Sequence, residues 1–204
     1  MISHKHKFIF VHIPKTGGTS IECVFDNSAL VRDVQYKHHT LEGYESLNKS
    51  IAHYFKFSFV RNPWDMTTSM YNYLWDKKAA WPRRWRKNNK KFSQLSFREW
   101  ITHTTFQSPT IRSVDVVQYK GSDGDFSSWL TGKKSTVDFV GRFENFQEDF
   151  DTVCDKIGIP KQELPHRNKL KHKHYTEYYD DETREIVAKK YAKDIDYFGY
   201  EFGK

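Results

Sequence analysis

The apolar run Phe8-Ile9-Phe10-Val11 and the phenylalanine-rich segment Tyr54-Phe55-Lys56-Phe57-Ser58-Phe59-Val60 both read as buried strands, and each leads into a loop and then a stretch of helical spacing. The pattern predicts strands at 7–13, 31–36 and 54–60 and helices at 17–27, 63–77, 96–103, 144–157 and 182–194. Short extended pieces are expected at 126–131 and 136–141, separated by a Gly132-Lys133 turn. Strands alternating with helices argue for the α/β class: a central parallel sheet with helices on both faces. In the Tyr-rich helical tail within Leu170 to Phe202, the spacing of Ile186, Tyr191, Ile195 and Phe198 suits core packing. No repeat is evident, and 204 residues suit a single domain over 1–204.

Charge changes the picture by pointing to partners. Lys and Arg number 33 against 26 Asp and Glu, a net charge of +7, which favours nucleotides, acidic glycans or nucleic acid. The segment 77–91 concentrates eight Lys or Arg around Trp81 and Trp85 with no acid, a composition suited to gripping an anionic acceptor or to a solvated loop. A second basic stretch, 165–174, carries alternating His without Cys, and no metal is expected there. Residues 1–7 lead into a strand without a signal-peptide pattern, and no window approaches a membrane span. Cys23 and Cys154 each fall in an amphipathic helix and read as reduced thiols, so a cytoplasmic setting is expected.

The strongest chemical signal is His12-Ile13-Pro14-Lys15-Thr16-Gly17-Gly18-Thr19-Ser20, between the first strand and the first helix. The glycines permit a tight turn and close approach to a ligand, and the opening amides and positive dipole end of the helix favour an anion. Lys15 adds an ammonium, and Thr16, Thr19 and Ser20 add hydroxyl donors. The G-x-x-x-x-G-K-[ST] pattern of nucleoside triphosphate loops sets its lysine after the glycines; here the lysine comes first and that pattern is absent. A second anion site is expected where strand 54–60 runs into Arg61-Asn62-Pro63-Trp64-Asp65-Met66-Thr67-Thr68-Ser69-Met70-Tyr71. Asn62 suits a cap and Pro63 the first helical position, while Arg61 stands at the carboxyl end of the strand, where open α/β sheets bind ligands.

Together these two segments resemble the sulfotransferase superfamily. Val137-Asp138-Phe139-Val140-Gly141-Arg142-Phe143-Glu144-Asn145 and the tail from Asp194 to Phe202 extend the likeness over most of the chain, closest to the small carbohydrate-type sulfotransferases. The resemblance implies a P-loop-like nucleotide-binding sulfotransferase fold. It implies an enzyme that moves a sulfuryl group from 3′-phosphoadenosine 5′-phosphosulfate (PAPS) to a hydroxyl acceptor by direct in-line transfer, leaving adenosine 3′,5′-bisphosphate. The 5′-phosphosulfate would lie on Lys15, Thr16, Gly17, Gly18, Thr19 and Ser20, and the 3′-phosphate on Arg61 and Ser69. Lys15 is the candidate for stabilising the leaving group. His38, in Tyr36-Lys37-His38-His39-Thr40, matches the position of the family's base, with His39 and then Glu42 or Glu45 as fallbacks. Arg142 and Phe143 are either nucleotide contacts or strand-end packing, and Asp65 either orients Arg61 or favours its helix N-terminus. Many animal relatives are Golgi membrane proteins with luminal disulfides, a setting from which the two cysteines here depart.

The implied partners are a nucleotide donor and a hydroxyl acceptor, with an acidic glycan or glycolipid headgroup as candidates. No nucleic acid and no metal are expected. Two other classes stay open. A Mg²⁺-dependent kinase or hydrolase would need a Ser/Thr and an acid for the ion. A basic nucleic-acid-binding protein would use the Trp-Arg segment and show steep salt dependence.

Overall fold

The computed structural model describes residues 1–25, 38–47, 49–75, 94–103, 126–165 and 173–204. The predicted strand at 31–36, the basic segment 77–91 and most of the second basic stretch lie outside them. In chain order the described elements are β1 (Ile2–Ser3), β2 (Phe8–Val11), α1 (Gly18–Phe25), α2 (Leu41–Leu47), β3 (Phe55–Val60), α3 (Pro63–Trp75), α4 (Phe97–Thr102), α5 (Ser127–Leu130), β4 (Phe139–Arg142), α6 (Phe146–Ile157), α7 (Asp181–Lys190) and α8 (Ala192–Phe198), with 3₁₀ turns at Lys49–Ile51, Phe143–Asn145 and Tyr175–Tyr178. They group into two compact units, one from the described residues within 1–61 and 126–165, the other from those within 62–103 and 173–204.

The first unit is the sheet. Strands β2, β3 and β4 pair in parallel in that order, as the alternation of strands and helices predicts. The two-residue β1 adds antiparallel beside β2 and is too short to leave a sequence signal. Phe8, Phe10, Phe57 and Phe59 are fully buried in one cluster, to which α1 contributes Ile21 and α6 contributes Phe150, Val153 and Cys154. Each such side chain contributes about 1.5–3 kcal/mol on burial, so this aromatic face is the main anchor of α1 to the sheet. The opposite face, including Ile9, Val11 and Val60, is buried as well. Its polar positions are satisfied within the unit: the Ser58 hydroxyl donates to the Val11 carbonyl at 2.7 Å, and the Lys56 ammonium donates to the carbonyls of Ala52 and Tyr54 at 2.8 and 3.0 Å.

The second unit is helical and aromatic. Ser96 caps α4 and Asp180 caps α7, each in a reciprocal capping box, with Glu99 and Thr183 respectively. Asn62 caps α3 as expected, accepting from the Trp64 amide at 3.1 Å, and its amide nitrogen donates to the carbonyls of Glu201 and Lys204. The Phe202 ring meets Trp64, Tyr175 and Tyr179 edge-on at 5.7, 5.6 and 5.4 Å. The far end of α3 carries Tyr71 and Trp75, stacked at 4.5 Å and packed on Phe97 and Trp100 of α4.

Two element predictions are corrected. The piece at 126–131 is a short helix rather than extended chain: Phe126, Trp129 and Leu130 fall at helical spacing and are buried together, and the Phe126 carbonyl accepts from the amides of both other residues. Only Thr131, bridged to Thr136, is extended there. The helix expected at 182–194 is broken at Tyr191, where φ is −109° and ψ 24°. Its buried positions are Thr183 and Val187 on α7 and Asp194 on α8, not the predicted stripe, whose members are only half-buried.

Candidate active site

The chain leaves β2 and enters α1 through residues 12–17, and two of these turn left-handed: Lys15 at φ 67° and Gly17 at φ 84°. Left-handed residues interleaved with ordinary ones curl successive amides into the concavity that suits an anion, and the opening turn of α1 follows. Gly17 meets both requirements for glycine, since a Cβ there would also come within 2.6 Å of the Phe146 ring and 3.1 Å of Phe143. Locally the Thr16 hydroxyl donates to the Ile13 carbonyl at 2.7 Å, so it closes the loop, and the Ser20 amide donates to the Gly17 carbonyl at 2.9 Å.

A lysine at positive φ is uncommon and strained. The Arg61 guanidinium, at the end of β3, holds it there by donating to the Lys15 carbonyl at 3.0 Å. The same guanidinium lies 4.0 Å above the Phe143 ring. Arg61 is thus clamped between the phosphate loop and the Arg142-Phe143 turn that follows β4. Burial, and after it the positive charge of Arg61, depress the Lys15 ammonium to about 8. A cation destabilised in this way is restored by an incoming anion.

His38 also sits at positive φ, 65°, and its Nδ1 lies 2.9 Å from the His12 carbonyl. A carbonyl only accepts, so Nδ1 carries the proton and, in the neutral ring, Nε2 carries the lone pair. The ring centroids of His38 and His12 are 4.3 Å apart. The fold therefore brings His38 to the start of the glycine-bearing loop. The fallback His39 packs instead near Tyr44, at 5.7 Å between rings. Glu45 accepts from the Ser135 hydroxyl at 2.6 Å and tethers the 132–135 turn, while Glu42 pairs with Lys133 at 3.3 Å on the surface.

Thr19 is half-buried and Ser20 buried at the start of α1, with Gly18. Ser69 lies half-buried on α3, in the second unit, whereas Arg61 belongs to the first. Three residues were underweighted by sequence reasoning: Phe143 and Phe146, which wall the loop, and Glu22, which accepts from His12 Nδ1 at 2.7 Å. The available signal for Glu22 was its spacing from Gly18, one helical turn along α1. Among the described residues no group of three or more His, Cys, Asp or Glu is arranged to hold a metal, and no helix is long and apolar enough to cross a membrane. Both cysteines are free thiols, and burial pushes that of Cys154 up.

Parallel strands β2, β3 and β4, with a glycine-bearing loop and a strained lysine leading from β2 into α1, define an α/β protein whose first strand-to-helix loop has a backbone shape suited to an anion. The model of the sulfotransferase family matches residues 1–201, and the chain belongs to that family, which makes it a transferase of the sulfotransferase type. It is 31% identical over 109 residues to an uncharacterised protein of Archaeoglobus fulgidus, a match covering 53% of this chain and 72% of the relative. No solved structure matches the chain significantly.

Proposed function

We propose that the protein transfers the sulfuryl group of PAPS to a hydroxyl acceptor, with a carbohydrate as the candidate class. The observation that carries this reading is the convergence of Lys15, Arg61 and His38 on one glycine-bearing loop. The acceptor oxygen attacks sulfur, the bond from sulfur to the bridging phosphate oxygen breaks, and the electron pair leaves with adenosine 3′,5′-bisphosphate. Lys15 stabilises the charge that develops on the bridging oxygen, and the amides of Thr16 to Thr19, with the Ser20 hydroxyl, hold the terminal oxygens. His38 Nε2 takes the acceptor proton. Arg61 is the proposed holder of the 3′-phosphate; Ser69 joins it in this reading on the spacing of the R-N-P-x-D-x-x-x-S segment alone. Free Cys23 and Cys154 support a cytoplasmic setting as part of the same reading.

Release of adenosine 3′,5′-bisphosphate from PAPS, followed with a panel of sugar hydroxyls in the presence of a chelator, tests the proposal. Acceptor-dependent release that is lost in Lys15→Ala and His38→Ala supports it. Phosphate release from ATP that requires Mg²⁺, with no turnover of PAPS, would move the protein to the kinase or hydrolase class.

A further inference from the structure

The residues beneath the phosphate loop form a connected set that the transfer chemistry above does not use. His12 is 3% exposed, and its Nδ1 meets Glu22 Oε1 at 2.7 Å. A carboxylate accepts, so Nδ1 donates and the ring orientation is fixed. On one side the ring stacks on Phe10, with centroids 5.5 Å apart and planes 18° from parallel. On another it lies against Gly18, where a Cβ would stand 2.3 Å from Cδ2 and 2.4 Å from Nε2. Gly18 and Glu22 are one turn apart on α1, so the helix offers the ring a bare backbone and, four residues on, an anchor. The backbone of this same histidine supplies the carbonyl that accepts from His38 Nδ1.

The geometry points to Glu22 as a positioning residue: through His12 it fixes the carbonyl that selects the tautomer of His38, and so keeps the lone pair on the nitrogen that faces the reaction. This rests on the reading of His38 as the base. No bond is made or broken by the pair; it holds one proton on His12 Nδ1 and one on His38 Nδ1. Burial, and after it the charge of Glu22, push the Tyr44 phenol up. Other tethers hold the loop independently, namely Arg61 on the Lys15 carbonyl and Phe146 on Gly17, so loss of Glu22 disturbs the base and spares the donor site.

Nitrogen-15 NMR of histidine-labelled full chain, with kinetics on PAPS, tests this. The native protein is expected to hold His38 as its Nδ1–H tautomer. Glu22→Ala turns that signal into a mixture of tautomers and lowers kcat about tenfold, with KM for the donor within about twofold. Glu22→Gln keeps an oxygen that accepts from His12 and restores the single tautomer and most of kcat. His12→Asn, which cannot span to Glu22, behaves as Glu22→Ala and stands in for it if that variant does not fold. An unaltered His38 tautomer in both Glu22→Ala and His12→Asn overturns the proposal, as does a Glu22→Gln protein as impaired as Glu22→Ala. A native chain that shows the tautomer and its loss on substitution but never turns over PAPS would sink the proposed function and leave the positioning intact.

Discussion

The phosphate loop and the helical unit obey different local rules. Around the loop, Lys15 and His38 take left-handed backbone, Gly17 and Gly18 leave no room for a methyl, and an ammonium is held partly desolvated beside a guanidinium. In the helical unit, Ser96 and Asp180 head their helices with reciprocal caps, and Arg98 pairs with Asp180 and Glu182 on the surface. Local preference and structure agree there. Where they disagree, at Lys15 and His38, left-handed backbone is held by hydrogen bonds from Arg61 and to the His12 carbonyl; Lys7, in the turn between β1 and β2, also takes positive φ, at 52°.

Substitutions that separate binding from stability sharpen this contrast. Lys15→Ala should have the largest effect, a fall in kcat of about 10²–10³-fold with a thermal midpoint no lower than that of the native chain, measured by PAPS turnover and circular dichroism. A large drop in midpoint would instead make Lys15 a structural residue. Gly18→Ala places a methyl against the His12 ring, and should cost about 2 kcal/mol in denaturant unfolding together with a loss of turnover. Gly199, which closes α8 at φ 64° with open space around it, provides the control: Gly199→Ala should cost about 1 kcal/mol and leave turnover alone.

The depressed Lys15 gives a pH dependence of intermediate size. Below about 8 the ammonium is formed; above it the free loop loses the charge, and an anionic ligand must restore a proton to bind. Affinity for adenosine 3′,5′-bisphosphate should fall by up to about tenfold per pH unit above 8, with proton uptake visible by calorimetry in two buffers of different ionisation enthalpy. The unfolded chain keeps the proton on this lysine to higher pH, so this group's contribution to stability rises between 8 and about 10.4. The smallest effect belongs to the helical unit: Asp180→Ala removes the cap of α7 and should lower stability by about 1 kcal/mol, read as a midpoint shift of about 3 °C, with kcat unchanged.

Much of this contrast is legible in the sequence, because strands β2 and β3 are marked by dense Phe and the loop by Pro14-Lys15 and Gly17-Gly18. The cap at Asn62 follows from residue type and position. What escaped was set by tertiary packing. Phe126, Trp129 and Leu130 carry helical spacing, but over too short a span to be distinguished from a strand end. The break at Tyr191 moved the buried face to Thr183 and Val187. Glu22 belongs to no motif in the sequence, and only the fold shows that Gly18 lets the His12 ring come within its reach.

Isothermal titration of the full chain with adenosine 3′,5′-bisphosphate, set against ADP and against ATP with and without Mg²⁺, tests the central claim most directly. The account predicts micromolar, Mg²⁺-independent binding that is lost for ligands without the 3′-phosphate and weakened in Arg61→Ala. Preference for ATP with Mg²⁺, or no nucleotide binding at all, would contradict it.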